Sequence, residues 1–177
     1  MRIYFDTKFT GLHQKATLIS LGCVSESGEE FYAEFTDYDQ EQVDEWVRTN
    51  VINNLILIQN SAQVTENLHT MKGDTAEIRS EFEVWLSLFD SVELWSDHLA
   101  YGWVLFCQIF GHAFNIPKNI YYIPFELSTA LKLKGFDPDI DREKFAFGKA
   151  YDNMEVQKHT ALWDSKVIKR CIERLEV

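Results

Sequence analysis

Three aspartates stand where an ionised side chain is costly. Asp6 ends the apolar run Ile3-Tyr4-Phe5, Asp97 follows the short apolar stretch Val92 to Trp95, and Asp164 opens a helical stripe. That stripe continues through Val167, Ile168, Cys171, Ile172 and Leu175. A carboxylate that begins a core-facing stripe points at whatever the helix packs on. Burying an ionised carboxylate is unfavourable unless it is paired, hydrogen-bonded or metal-bound. Taken singly, each has an ordinary reading: a helix N-cap for Asp97, a first-turn acid for Asp164, an arginine-paired strand end for Asp6. Taken together at strand ends and sheet-facing positions, they point to an oxygen-only cluster that suits magnesium or manganese. Two such ions about 4 Å apart form the clamp used for in-line phosphoryl chemistry. His159 precedes Asp164 by five residues. On one continuous helix the two would diverge by about 140°. In the loop before the helix, His159 would reach over the site and take a proton from an attacking water. His13, His69, His98 and His112 show no partner spacing, although His98 adjoins Asp97.

The elements that must position these groups follow from periodicity. Arg2 to Thr7, Ala16 to Val24 and Glu29 to Phe35 read as strands, with Ser25-Glu26-Ser27-Gly28 as a turn, which suggests an antiparallel meander. Alternation puts Tyr4, Asp6 and Lys8 on one face of the first strand and Ile3, Phe5 and Thr7 on the other. Gln40 to Ile58 reads as helical, and Gln59 to Gly73 as irregular. A stronger helix opens at Asp74-Thr75, with Ile78, Phe82, Trp85, Leu86 and Phe89 as its stripe. Val92 to Trp95 and Asn119 to Ile123 read as the fourth and fifth strands. Between them a nearly all-apolar helix runs from Asp97 to Phe110. Phe125 to Leu133 and Thr160 to Leu175 complete the helices, with Gly135 capping the first of these. The reading is one α/β domain over 1–177, a mixed five-stranded sheet flanked by helices.

Composition narrows the classes. The chain has 177 residues, 46% hydrophobic and 25% charged, which excludes a disordered chain. Lys plus Arg is 17 and Asp plus Glu 28, a formal charge of −11. That balance is not the broad basic footprint of a protein that grips duplex nucleic acid by its phosphates, and it disfavours an anionic membrane surface. Cys23, Cys107 and Cys171 form no CxxC pair and read as buried thiols of a reducing compartment. With no signal-peptide core and no span-length apolar run, a cytoplasmic protein is expected.

The motifs resemble those of a known family. Asp6-Thr7-Lys8-Phe9-Thr10-Gly11-Leu12 resembles the first motif of the DEDDh 3′–5′ exonucleases of the DnaQ-like superfamily, an Asp-x-Glu followed by a Thr-Gly-Leu-like turn. Trp95-Ser96-Asp97 resembles the second, an aspartate at a helix start, and His159 to Asp164 fits the third, His-x-x-x-x-Asp. The three occur in family order across most of the chain and are most similar to a short exoribonuclease-like branch of bacterial and phage proteins. The resemblance implies a ribonuclease H-like fold and two Mg2+ or Mn2+ ions. Asp6 would bridge both ions, Asp164 would hold the water-activating one, Asp97 would support the second, and His159 would be the general base. Thr7, Lys8, Phe9, Thr10, Gly11 and Leu12 would bind substrate, with Leu12 against the terminal base and Phe9 or Trp163 adding stacking. The implied substrate is the 3′ end of single-stranded RNA or DNA, the product a nucleoside 5′-monophosphate, and a homodimer is a further possibility.

This chain departs from the pattern at Lys8, where the family carries glutamate. An ammonium there removes a ligand and adds positive charge beside the cations. Glu93 and Glu126 are candidates to supply a replacement ligand, although nothing in their spacing supports that role. Three readings follow: an active exonuclease, a catalytically impaired or inactive nucleic-acid-binding module on the same scaffold, and a non-catalytic interaction protein.

Overall fold

Alternation in the first strand organises both faces of the sheet. The computed structural model describes residues 1–57, 66–153 and 159–175, and β1 (Arg2–Phe9) lies inside its sheet. Ile3 and Phe5 enter one apolar cluster and Tyr4 another, on opposite faces, as a period of two requires. β2 (Leu18–Ser25) pairs antiparallel with β1, and β3 (Glu30–Phe35) antiparallel with β2, giving the expected meander. Its turn uses Gly28 at φ 105°, a conformation open to glycine.

The sheet has six strands, not five. β4 (Leu68–Gly73) pairs parallel with β3, within a stretch whose sequence reads as irregular. It is an edge strand, only its last residue is fully buried, and so it carries no apolar alternation to detect. The rest of that stretch, up to residue 65, lies outside the described residues. β5 (Glu93–Ser96) pairs parallel with β1. Asn119 to Ile123 is not a strand: a single bridge joins Ile120 to Val92, and the paired segment is the two-residue β6 (Phe125–Glu126) just after Pro124. The order is β4-β3-β2-β1-β5-β6.

Helices cover both faces. The reading of one helix from Gln40 to Ile58 fails, because Asp39 and Asp44 each cap a separate turn. The result is α1 (Glu45–Asn50) between short 3-10 turns at Gln40–Gln42 and Ile52–Asn54. α2 (Thr75–Leu86) starts at a capping box of Asp74 and Glu77. Its Ile78, Phe82, Trp85 and Leu86 pack with Phe31, Phe106 and Phe110 on the Ile3/Phe5 face, joined there by α3 (Leu99–Ile109). α4 (Leu127–Leu133), α5 (Arg142–Phe147) and α6 (Ala161–Leu175) cover the Tyr4 face. The α6 stripe of Val167, Ile168, Cys171, Ile172 and Leu175 is buried there as its spacing requires. All three cysteines are free and buried. Among the described residues, no helix is long and apolar enough to cross a membrane.

One close approach fixes α6. A Cβ on Gly22 of β2 would lie 2.3 Å from the backbone of Ala161 and Leu162. The first turn of α6 therefore rests directly on the β2 backbone, where only glycine leaves room. This contact sets the place of Asp164, which is in that same turn.

Candidate active site

β1 and β5 run parallel, so their carboxyl ends point the same way, the edge at which α/β sheets place ligands. Their pairing stops at Tyr4–Trp95. Beyond it β1 continues alone on that side, and a cleft of about 870 Å³ opens. Asp6, Asp97, Asp164 and His159 all line it. Sequence separations of up to 158 residues are thus closed by strand order and by the Gly22 contact. The register of β1 on β2 shifts between Lys8 and Phe9. A bulge of this kind re-aims the side chains that follow, and here Phe9 stacks on Tyr101 of α3 at 6.1 Å.

Two cations occupy the acidic cluster. The Lys8 ammonium lies 2.9 Å from Asp6 Oδ2 and donates a hydrogen bond to Asp164 Oδ2. Asp97 is gripped by Arg142, whose Nε and Nη2 donate to Oδ2 at 2.8 Å and to Oδ1 at 3.2 Å. Ser128 also donates to Asp97 Oδ1, at 2.8 Å. The N-cap role open to Asp97 is not used: His98 holds the cap position of α3, with φ 53° and no side-chain cap bond. Burial pushes the Asp6 carboxyl up to about 6, against the lowering effect of Lys8 and with further raising by Asp164 and Asp97. For Lys8 burial acts downward, but the Asp6 and Asp164 carboxylates outweigh it and hold the ammonium above the ordinary lysine range.

His159 sits in the turn before α6, at φ 63°, exposed, with its ring 6.5 Å edge-on from that of Trp46. Among the described residues, His98 and His159 are the two non-glycine residues at positive φ, and both line the cleft. Strained backbone of this kind collects at functional sites, each instance costing about 1–3 kcal/mol.

The other expected binding residues divide. Leu12 is 73% exposed at the cleft mouth, its carbonyl accepting from the Tyr101 hydroxyl at 3.2 Å. Phe9 and Gly11 line the wall. Thr10 also lines it, but its hydroxyl is spent on Gln42 at 2.6 Å and on the Thr17 amide at 2.9 Å, where it ties down the β1–β2 turn. Thr7 also borders the cleft but is buried on the α3 side, beside Gly102. Trp163 does not stack in the cleft; it packs on Phe147 at 5.5 Å in the apolar cluster under α6. Neither Glu93 nor Glu126 lines the cleft, and Glu126 accepts from Thr129 at 2.6 Å. Sequence reading missed Trp46, Tyr101 and Arg142, all on the cleft wall. Trp46 reads by spacing as part of an apolar stripe with Val43, Val47 and Val51, but on α1 it is 60% exposed while Val47 and Val51 turn into a small apolar cluster.

No family model matches the chain. Two 3′–5′ exoribonucleases of Mycobacterium tuberculosis, from strains CDC 1551 and H37Rv, are 34% identical to it over 122 residues, 68% of this chain and 67% of each relative. The chain belongs to this exoribonuclease family. Among solved structures, the Pan2 catalytic unit (protease and nuclease domain) of Neurospora crassa is similar over 99% of this chain and 27% of its own length, at 13% identity and a TM-score of 0.44.

For this family member the fit of divalent ions is decided by the side chains already in the cleft. Three aspartates supply the hard oxygen donors that magnesium or manganese prefers. Yet the place between Asp6 and Asp164 is filled by an ammonium, and both Asp97 oxygens are engaged by Arg142. Among the described residues, no group of three His, Cys, Asp or Glu side chains is arranged to hold a metal ion. As folded, the cluster does not fit a pair of divalent cations.

Proposed function

We propose that this chain is a DEDDh-type 3′–5′ exonuclease domain that takes the 3′ end of single-stranded RNA into the cleft and whose hydrolytic step is impaired by Lys8. The supporting observation is the convergence of Asp6, Asp97, Asp164 and His159 on one cleft at the carboxyl ends of β1 and β5. The relatives' exoribonuclease activity supports RNA over DNA. The terminal base would lie between Leu12 and Trp46, which both present exposed apolar surface there. The acidic chain carries no broad basic tract, so contact would be confined to a few terminal nucleotides.

In the hydrolysis this site is shaped for, a water oxygen attacks phosphorus, the bond to the 3′ oxygen of the preceding nucleotide breaks, and that oxygen is protonated. A nucleoside 5′-monophosphate leaves. His159 would take the proton from the attacking water. Stabilising the charge that spreads over the phosphoryl oxygens needs positive charge aimed at them. Lys8 and Arg142 are both committed to carboxylates, so neither is free to supply it. The wild-type rate is therefore expected to be low.

Trimming of a 3′-labelled oligoribonucleotide in manganese tests the reading. Lys8→Glu should raise the rate at least about 100-fold, and Asp6→Ala placed on that variant should abolish it. Equal trimming by the single and double variants would overturn the assignment of this cleft.

A further inference from the structure

Lys8 has no freedom to be a bystander. Alternation fixes its side chain on the same face of β1 as Asp6, the face that α6 covers. It pairs across the strands with Ser20 of β2, one position before the register shift, so the strand holds its Cα firmly. Only 18% of the Lys8 side chain is exposed, with 19% of Asp6 and 27% of Asp164. The ammonium approaches both carboxylates through the same pair of oxygens, Oδ2 of Asp6 and Oδ2 of Asp164. One of these comes from the first strand and the other from the last helix.

Asp6 Oδ2 is buried and, among the described residues, accepts no hydrogen bond beyond this ion contact. Without a cation here, two carboxylates would face each other with little water between them, an arrangement that repels strongly. With both carboxyls ionised, a cation is therefore required for the folded cluster, and the chain carries it covalently. A tethered ammonium is never diluted away, whereas a divalent ion must be drawn from solution.

We propose that Lys8 is an intramolecular replacement for a divalent ion: its ammonium joins Asp6 to Asp164, makes the folded state independent of divalent cations, and excludes them from that position. This concerns the same cleft as the proposed exonuclease function but does not rest on any activity toward RNA. The cluster closes from the chain's own charges. Asp6, Asp97 and Asp164 meet Lys8 and Arg142, and one net negative charge remains, so only a weak electrostatic demand for further cations is left. Lys8 cannot stay in place while a divalent ion enters, because like charges would stand side by side where water is scarce.

Thermal unfolding without nucleic acid tests this, comparing wild type, Lys8→Gln and Lys8→Glu in a chelator and in millimolar Mn2+ or Mg2+. A ligand that binds only the native state at 100 times its Kd raises the Tm of a domain this size by about 5–10 °C. Wild type should move by less than about 1 °C between chelator and either ion. Lys8→Gln removes the ammonium without adding a ligand. It should melt below wild type in chelator and recover several degrees with manganese. Lys8→Glu should show the larger recovery. The inference is overturned if wild type gains as much from manganese as Lys8→Glu does. It is also overturned if Lys8→Gln melts like wild type in chelator and gains nothing from either ion. Should Lys8→Glu not fold, the wild-type and Lys8→Gln scans alone decide between these outcomes. Failure here leaves the exonuclease reading standing, since that is judged by RNA trimming.

Discussion

Arg142→Ala probes how Asp97 is held. The guanidinium makes two bonds to Asp97, at 2.8 and 3.2 Å, one to Ser128 Oγ at 2.8 Å, and bonds to the Ile140 and Pro138 carbonyls at 2.6 and 2.8 Å. The paired side chains are 15% and 14% exposed. Truncation leaves the Asp97 carboxylate with the Ser128 hydroxyl, and with His98 Nδ1 at 3.3 Å on a mostly exposed ring. Removing one partner of a buried pair costs about 3–5 kcal/mol. Water reaches a seventh of each side chain here, which places the expected loss near the lower figure, about 3 kcal/mol. For a domain of this size that lowers the Tm by about 6–12 °C.

Urea unfolding of wild type, Arg142→Ala, Asp97→Asn and the double variant closes a cycle. Because the two groups touch, the cycle should show a coupling of at least about 1.5 kcal/mol. Arg142→Lys should recover less than half the loss, since a point charge cannot make the two-pronged contact. A loss below about 1 kcal/mol, or an additive cycle, would refute the view that this pair holds the wall of the cleft together.

Two further outcomes follow from named contacts. Gly22→Ala should cost at least about 3 kcal/mol in urea unfolding, at the upper end for overpacking, because the new methyl meets α6 backbone at 2.3 Å and not a movable side chain; a loss under about 1 kcal/mol would show that α6 is not seated on β2. Asp6, raised to about 6, binds its proton more tightly folded than unfolded, so it lowers stability by at most about 3 kcal/mol above pH 6, less as pH falls, and not at all below about 3.8. Asp6→Asn should therefore flatten the fall in stability between pH 4 and 6, and an unchanged slope would count against the burial of this carboxyl.

The candidate site residues were legible where local pattern fixes them. Asp6 and Lys8 share a face by strand alternation alone, and Asp164 shares the α6 stripe by helical spacing, so both directions could be read without a fold. What the pattern could not contain is distance. That Lys8 lies between Asp6 and Asp164 depends on where α6 lands, and that landing is set by Gly22, a residue with no side chain to signal it. Arg142 sits in a charged stretch with no periodicity, so nothing local ties it to Asp97 45 residues earlier. Asp97 shows the opposite error. Its position invites an N-cap reading, but the left-handed turn at His98 starts the helix without it and frees both its oxygens for Arg142. β4 was hidden because an edge strand that is mostly half-buried, with only its last residue fully buried, needs no apolar alternation to pair.

The two cations of the cleft differ in origin, and this bears on what each can become. Arg142 opens α5 and is anchored to the Ile140 and Pro138 carbonyls as well as to Asp97. Its charge is fixed in place by backbone acceptors, so its withdrawal would disturb the turn that leads into α5. Among the described residues, the Lys8 ammonium is held by the two carboxylates, at the end of a flexible four-carbon stem. A single substitution at position 8 therefore changes the charge between Asp6 and Asp164 and, among the described residues, removes no other side-chain hydrogen bond. The scaffold that gathers the aspartates, the divergence of β1 from β5 and the seating of α6 on Gly22, is built from backbone contacts that do not include the Lys8 side chain. The gathering of the aspartates and the charge between two of them are thus set by different residues, and a change from lysine to glutamate tests the second when a divalent cation is supplied to take the place of the ammonium.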